Sequence, residues 1–319
     1  MAPVSAVFAD VDTGIDDAIA LIYLLASDAD LIGIASTGGN ISVDQVCANN
    51  LGLLDLCGAA DIPVSRGTDR PLNGEHLSRG NFHGPKGLGY AELPPSERRI
   101  TAYDSATAWV RAAHSYPGEL IGLATGPLTN LALALRAEPA LPRLMRGLVI
   151  MGGRYRPGAD DDHAAEWNVR VDPEAAAEVF AAWAGQQRLP IVCGLDLTRT
   201  VAMTPDILAR LSGPSPVLRF IEDAMRFYFE VHRDRGLGYL AYLHDPLAAA
   251  VALNPELVVT RAATVDVDLD PPWSDARGAT IADWSGDREP NVRIGIDVDP
   301  TVFLDLFVDR VAAFAERLS

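Results

Sequence analysis

The stretch VSAVFADVDTGIDDAIALIYLLASDADLIGIAST, residues 4–37, decides the fold. VSAVFAD (4–10) is a short apolar run of β-forming residues, and from about Asp16 to Ala26 the apolar side chains recur at helical spacing. LIGIAST (31–37) then returns to the β-type run. A strand, a helix and a strand of these lengths form a βαβ unit, whose strands are parallel because the helix carries the chain back to the starting edge. The alternation continues through a helical stretch over about 43–57, IPVS (62–65), ELIGLAT (119–125) with a helical 127–137, GLVIMGG (147–153) and PIVCGLD (190–196). The expectation is an α/β chain, a single domain over 1–319 with a mostly parallel, doubly wound central sheet flanked by helices.

Each of these strands ends in chemically pointed residues: Asp10 and Asp12, Thr37-Gly-Gly-Asn40, Thr125-Gly126, Met151-Gly-Gly153, and Asp196. Ligands bind at the carboxyl ends of parallel strands, so one cleft is expected to gather them. The segments 66–103 and 152–171 are long, rich in Gly, Pro and charge, and without periodicity, as binding loops are. The densest signal is Asp10-Val-Asp12-Thr-Gly-Ile-Asp16-Asp17, four carboxylates in a strand-to-helix turn. Crowded carboxylates raise one another's pKa unless a cation or hydrogen-bond donors compensate, and an oxygen-only set suits a hard ion such as calcium. Helix capping accounts for Asp16 and Asp17 but not for Asp12 at the strand end.

A formal net charge of −17, with Lys86 the single lysine, argues against a nucleic-acid partner, which requires clustered cations. No apolar run is long enough to span a bilayer, and the first residues lack a basic leader, so no membrane association and a cytoplasmic location are expected. Cys47, Cys57 and Cys193 lie in apolar surroundings without metal-binding spacing and read as buried thiols.

Asp10-x-Asp12 after a strand resembles the first motif of the haloacid dehalogenase phosphatases, where one Asp attacks phosphorus and the other acts as acid and base. Those enzymes also need a lysine on the phosphate. Here the single lysine sits in His83-Gly-Pro-Lys86-Gly, and no acidic third motif follows.

The whole set resembles another family more closely. DVDTGIDDAIAL, TGGN (37–40), HGPKGLG (83–89), ATGPLTNLA (124–132), VIMGG (149–153), AEWNV (165–169), HDPLAAA (244–250) and PNVRIGIDVD (290–299) are similar, in order, to the motifs of the inosine/uridine-type nucleoside hydrolases. Thr13 stands where that family has proline. The resemblance implies hydrolysis of a ribonucleoside's N-glycosidic bond to ribose and free base. It also implies a calcium ion held by Asp12, Asp17, the Thr125 carbonyl and Asp245, with Asp12 as general base toward a calcium-bound water. Asp16, Asn40 and Asn168 are placed by it on the ribose hydroxyls, and Glu166 toward the 3′ or 5′ side. Met151 is placed on the substrate, His83 near the base, and His244 where it protonates or polarises the leaving base.

Two departures stand out. Asp160 replaces the family's asparagine for the 5′ hydroxyl, and the region before HDP does not align with the base-selecting helix. There Tyr228 and His232, at i and i+4, share a helix face and either meet the base or lie at the surface. The partner expected is a small ribonucleoside, with a homodimer or homotetramer as the assembly. A calcium-dependent nucleoside-binding protein without catalysis is the remaining alternative.

Overall fold

The computed structural model describes residues 5–73, 81–156, 165–271 and 274–318. Eleven strands are present among them: β1 (Ala6–Val11), β2 (Asp30–Ser36), β3 (Val64–Arg66), β4 (Ile121–Ala124), β5 (Gly147–Met151), β6 (Ile191–Cys193), β7 (Ala202–Met203), β8 (Ala241–Tyr242), β9 (Val258–Val267), β10 (Thr280–Asp283) and β11 (Val292–Val298). Nine form one sheet in the order β10-β9-β11-β6-β5-β4-β1-β2-β3, and β7 with β8 make a separate small hairpin. From β3 to β11 every neighbouring pair is parallel. β1 is an interior strand between β4 and β2, buried along its whole length, which is why it reads as an unbroken apolar run rather than an alternating one.

The sheet divides the core in two. On one face pack the helices Ile15–Leu25, Val43–Leu56, Pro216–Asp234, His244–Leu253 and Pro300–Arg317, and on the other Ser105–Ser115, Thr129–Ala137 and Pro173–Ala182. The helix Ile15–Leu25 is buried on all sides through Leu24, as a helix apolar all round must be, and lies against His244–Leu253. That contact brings the acidic turn after β1 next to Asp245.

Most expected elements lie within two residues of their observed bounds. Residue 4, where the first strand was expected to begin, lies outside the described residues. The described part of 67–103 has no helix or strand, as expected of a binding loop. Segment 152–171 differs: the helix Trp167–Val171 interrupts it, started by the Glu166 carboxylate accepting from the backbone N–H of Asn168 and Val169. The expected strand 190–196 stops at Cys193, because Gly194 opens the short helix Leu195–Thr198. Asp196 therefore does not face the cleft; its carboxylate accepts from the backbone N–H of Tyr155 at 2.5 Å and Arg156 at 3.2 Å. The antiparallel edge made by β9 and β10 was not anticipated, and β11 is inserted between β9 and β6. All three cysteines are buried, and burial pushes the Cys57 and Cys193 thiols up to about 12.

Candidate active site

The carboxyl ends of β1, β2, β4 and β5 open onto a cavity of about 670 Å³, within the usual range for small-ligand sites. Asp16, Asn40, His83, Thr125, Met151, Glu166, Asn168, His244 and Asp245 all line it. Asp12 and Asp17, both fully buried, lie beneath its floor. Asp160 lies outside the described residues.

The four carboxylates after β1 do not act together. The Asp10 carboxylate accepts from Trp109 Nε1 at 2.7 Å, Thr37 Oγ1 at 2.6 Å and Asn130 Nδ2 at 3.0 Å. It braces β1 to the end of β2 and to two helices on the face opposite the helix Ile15–Leu25. Burial raises its pKa to about 6 even with these donors. Asp12 lies one residue beyond the strand end, and its carboxylate accepts from the Asn40 backbone N–H at 2.7 Å and from Asn40 Nδ2 at 3.2 Å. Gly39 is required for that approach: a Cβ there would fall 2.0 Å from Asp12 Oδ2. Asp17 accepts from the Gly14 N–H at 2.9 Å and Thr125 Oγ1 at 2.6 Å. Asp16 accepts from the Tyr228 hydroxyl at 3.4 Å.

Carboxylate oxygens of Asp16, Asp17 and Asp245 come within 4.8 Å of one another, all three residues buried. Burial first, and then the charge of Asp17, push the Asp12 carboxyl well above its usual range and Asp16 to about 8. Asp245 rises well above the usual range by burial and then by Asp16, Asp17 and Asp12, and burial raises Asp17. The nearest basic group among the described residues is His83, whose Nδ1 is 3.7 Å from Asp16. Burial pushes that imidazole down to about 3, so it carries no compensating charge. Clustered oxygen donors without a counter-charge are a site that can hold a metal cation. The Thr125 carbonyl, at the edge of this cluster, accepts from Asn168 Nδ2 at 2.6 Å, and the same amide reaches the Met151 carbonyl at 3.2 Å. Asn168 thus ties the ends of β4 and β5 together. Glu166 is held by the backbone N–H groups of Gly153, Asn168 and Val169.

The opposite end of the cavity is aromatic. Phe82, Tyr228 and His232 meet edge to face, with centroids 5.5 Å apart for Phe82 and Tyr228 and 4.6 Å for Tyr228 and His232. Tyr228 and His232 are buried and line the cavity rather than lying at the surface. The Ile15 backbone N–H donates to His83 Nδ1 at 3.1 Å, so the ring proton sits on Nε2. His244 Nδ1 is 2.7 Å from Thr198 Oγ1, and burial pushes its pKa down to about 3, so the ring is neutral. A neutral imidazole polarises a leaving base through a hydrogen bond rather than delivering a proton as imidazolium does. Sequence reasoning missed Tyr242, Arg235, Trp167 and Arg170, which also line the cavity. Trp167 lies within AEWNV, Arg170 directly follows it and Tyr242 stands two residues before His244, whereas Arg235 lies outside every recognised motif. Lys86 is absent from the cavity walls; its ammonium is exposed, 3.9 Å from Glu92, where it cannot grip a phosphate at the carboxylates.

Buried carboxylates at one end and aromatic rings and neutral imidazoles at the other, above the carboxyl ends of a parallel sheet, make this an α/β protein with a site for a small ligand that has a hydroxylated part and a flat part. The chain belongs to the inosine-uridine preferring nucleoside hydrolase family, whose description it matches over residues 7–305. It is 35% identical over 313 residues to the pyrimidine-specific ribonucleoside hydrolase RihA of Citrobacter koseri, covering 96% of this chain and 97% of that one. Among solved structures it is similar to the purine-preferring ribonucleoside hydrolase from Gardnerella vaginalis, with TM-score 0.90, 30% identity and coverage of 98% and 99%. The plant nucleoside hydrolase PpNRh1 gives TM-score 0.89 at 30% identity, covering 98% and 100%.

Proposed function

We propose that this protein is a calcium-dependent enzyme that cleaves the N-glycosidic bond of ribonucleosides with water, releasing ribose and free base. The carrying observation is the buried quartet Asp12, Asp16, Asp17 and Asp245 at the foot of an aromatic-ended cavity. The donor set is all oxygen and anionic, with side chains that have alternative rotamers, which suits calcium better than a small ion demanding a strict octahedron. Asp12, Asp17, Asp245 and the Thr125 carbonyl would hold the ion. Bound there, it would supply Lewis acidity toward sugar hydroxyls and toward water.

The chain's own residues do the rest. Asp16, Asn40 and Asn168 bind the ribose hydroxyls, with Glu166 toward the 3′ or 5′ side and Met151 on the substrate. Asp12, oriented by two hydrogen bonds from Asn40, accepts the proton of the attacking water as positive charge develops on the ribose. His244 and His83 present N–H groups to the base. The same reading places the protein in the cytoplasm, in nucleoside salvage, as a dimer or tetramer.

The test is free-ribose release from inosine, adenosine, guanosine, uridine and cytidine, with calcium and after chelation. Turnover of at least one nucleoside that chelation abolishes and calcium restores is the expected result. Background rates on all five, with nucleoside still bound, would leave the binding-protein alternative instead.

A further inference from the structure

We propose that Thr13 and Asn50 are a positioning pair, a buried hydrogen bond that holds the acidic turn after β1 in its ion-binding shape and so sets the calcium affinity of the site. The inference rests on the calcium-dependent reading above. Thr13 lies in the chain between Asp12 and Asp17, the two carboxylates of the turn that would hold the ion, and it is fully buried. Its hydroxyl donates to Asn50 Oδ1 at 2.5 Å, and Asn50 Nδ2 donates to Ser36 Oγ at 3.1 Å. Asn50 and Ser36 are as completely buried as Thr13. Ser36 closes β2, immediately before the loop that carries Asn40. One side chain of the helix Val43–Leu56 therefore ties the turn after β1 to the end of β2. The adjacent Asn49 holds the same residue by its backbone: Nδ2 donates to the Thr13 carbonyl at 3.3 Å and to the Lys86 carbonyl at 2.9 Å. Neither Thr13 nor Asn50 lines the cavity, so the pair acts through the residues it places.

Thr13 stands where the family's motif has proline, and threonine lacks the ring that fixes φ. The tie to Asn50 supplies that restraint from outside the backbone. Restraint matters because the ionised carboxylates of Asp12, Asp16, Asp17 and Asp245 repel one another, and a free turn relieves the repulsion by spreading. A turn that has spread must be gathered again when the ion binds, at the expense of affinity, whereas one held closed is preorganised. The turn has little slack: a Cβ on Gly14, the next residue, would fall 2.9 Å from Asn40 Nδ2 and 2.6 Å from His83 Nδ1. Two apolar side chains would fill the space of Thr13 and Asn50 without leaving a buried polar atom unpaired, and such double replacements change stability little. Stability and calcium affinity can therefore be separated by experiment.

The experiment titrates calcium calorimetrically into metal-free protein and records the melting temperature of the same metal-free samples. Wild type is compared with Thr13→Ser, Thr13→Val, the double variant Thr13→Val/Asn50→Leu and the double variant Thr13→Pro/Asn50→Leu. Thr13→Val/Asn50→Leu is expected to melt close to wild type yet to bind calcium about 5- to 10-fold more weakly, the equivalent of one lost hydrogen bond. Thr13→Val alone should show the same loss of affinity, which keeps the comparison open if the double variant does not fold. Thr13→Ser keeps the hydroxyl and should keep wild-type affinity, and Thr13→Pro/Asn50→Leu should regain it through the proline ring. Wild-type affinity in both valine variants overturns the proposal. So does a lowered melting temperature with unchanged affinity, which reduces the pair to structural support. Wild type that binds no calcium is a different failure, that of the calcium-dependent reading, and takes the proposal with it.

Discussion

Asp12 and Asp245 are two buried carboxylates on one cluster that the proposed chemistry asks to do different work. Replacing Asp12 by Asn keeps an oxygen for the ion but removes the proton acceptor, so kcat should fall by about 10²- to 10⁴-fold, more than substrate affinity does. Asp245→Asn, with metal binding as its only role, should recover toward wild type under a calcium titration that rescues Asp12→Asn only in part. Equal and complete rescue of both would make Asp12 a ligand alone. The Asp10-x-Asp12 spacing also marks a limit of reading residues from sequence. Alternation along a strand puts positions 10 and 12 on one face, yet Asp10 bonds Trp109 and Asn130 while Asp12 joins the cluster. The strand ends at Val11, so Asp12 is already off the pleat, and no spacing reveals where a strand stops.

The loop that follows β2 holds Asp12 in place. Asn40 donates twice to it, and Gly39 passes so close that a Cβ would meet both Asp12 Oδ2 and Pro127 Cδ. Gly39→Ala should therefore fold with a melting temperature close to wild type while losing about 100-fold or more in kcat, as displaced catalytic groups do. Normal turnover in a folded Gly39→Ala would show that the loop has room to move. Elements of this kind were legible because an apolar strand followed by a polar, Gly-containing turn is a strong local signal; Asp16, Asp17, Asn40 and Thr125 all sit in such turns. Arg235 was not, because a basic residue at a helix C-terminus is accounted for by the helix dipole alone. The β9–β10 edge escaped notice because β9 mixes exposed and buried positions without the continuous apolar run of the parallel strands.

For the whole molecule, gathering acidic groups in its interior makes stability depend on pH and on metal together. A carboxyl whose folded pKa lies above its unfolded value adds stability below the unfolded value and loses it as pH rises through the folded one. For Asp16 that window runs from 3.8 to about 8. Metal-free protein should melt roughly 5 to 10 °C higher at pH 5.5 than at pH 8, whereas saturating calcium should remove or invert the difference. A metal-free melting temperature that rises with pH over this range would contradict the raised carboxyls. The parallel topology followed from the βαβ rhythm, but the meeting of Asp245 with the turn after β1 did not, since only packing of one buried helix on another brings it about. That packing has a consequence for synthesis on the ribosome. Asp12, Asp16 and Asp17 emerge early, whereas Asp245 and β11, which wedges between β9 and β6, belong to the last quarter of the chain. Until those C-terminal residues emerge, the nascent polypeptide lacks one acidic member of the cluster and one interior strand of its sheet. Any product truncated ahead of His244 is missing a member of the quartet, however well its first half collapses.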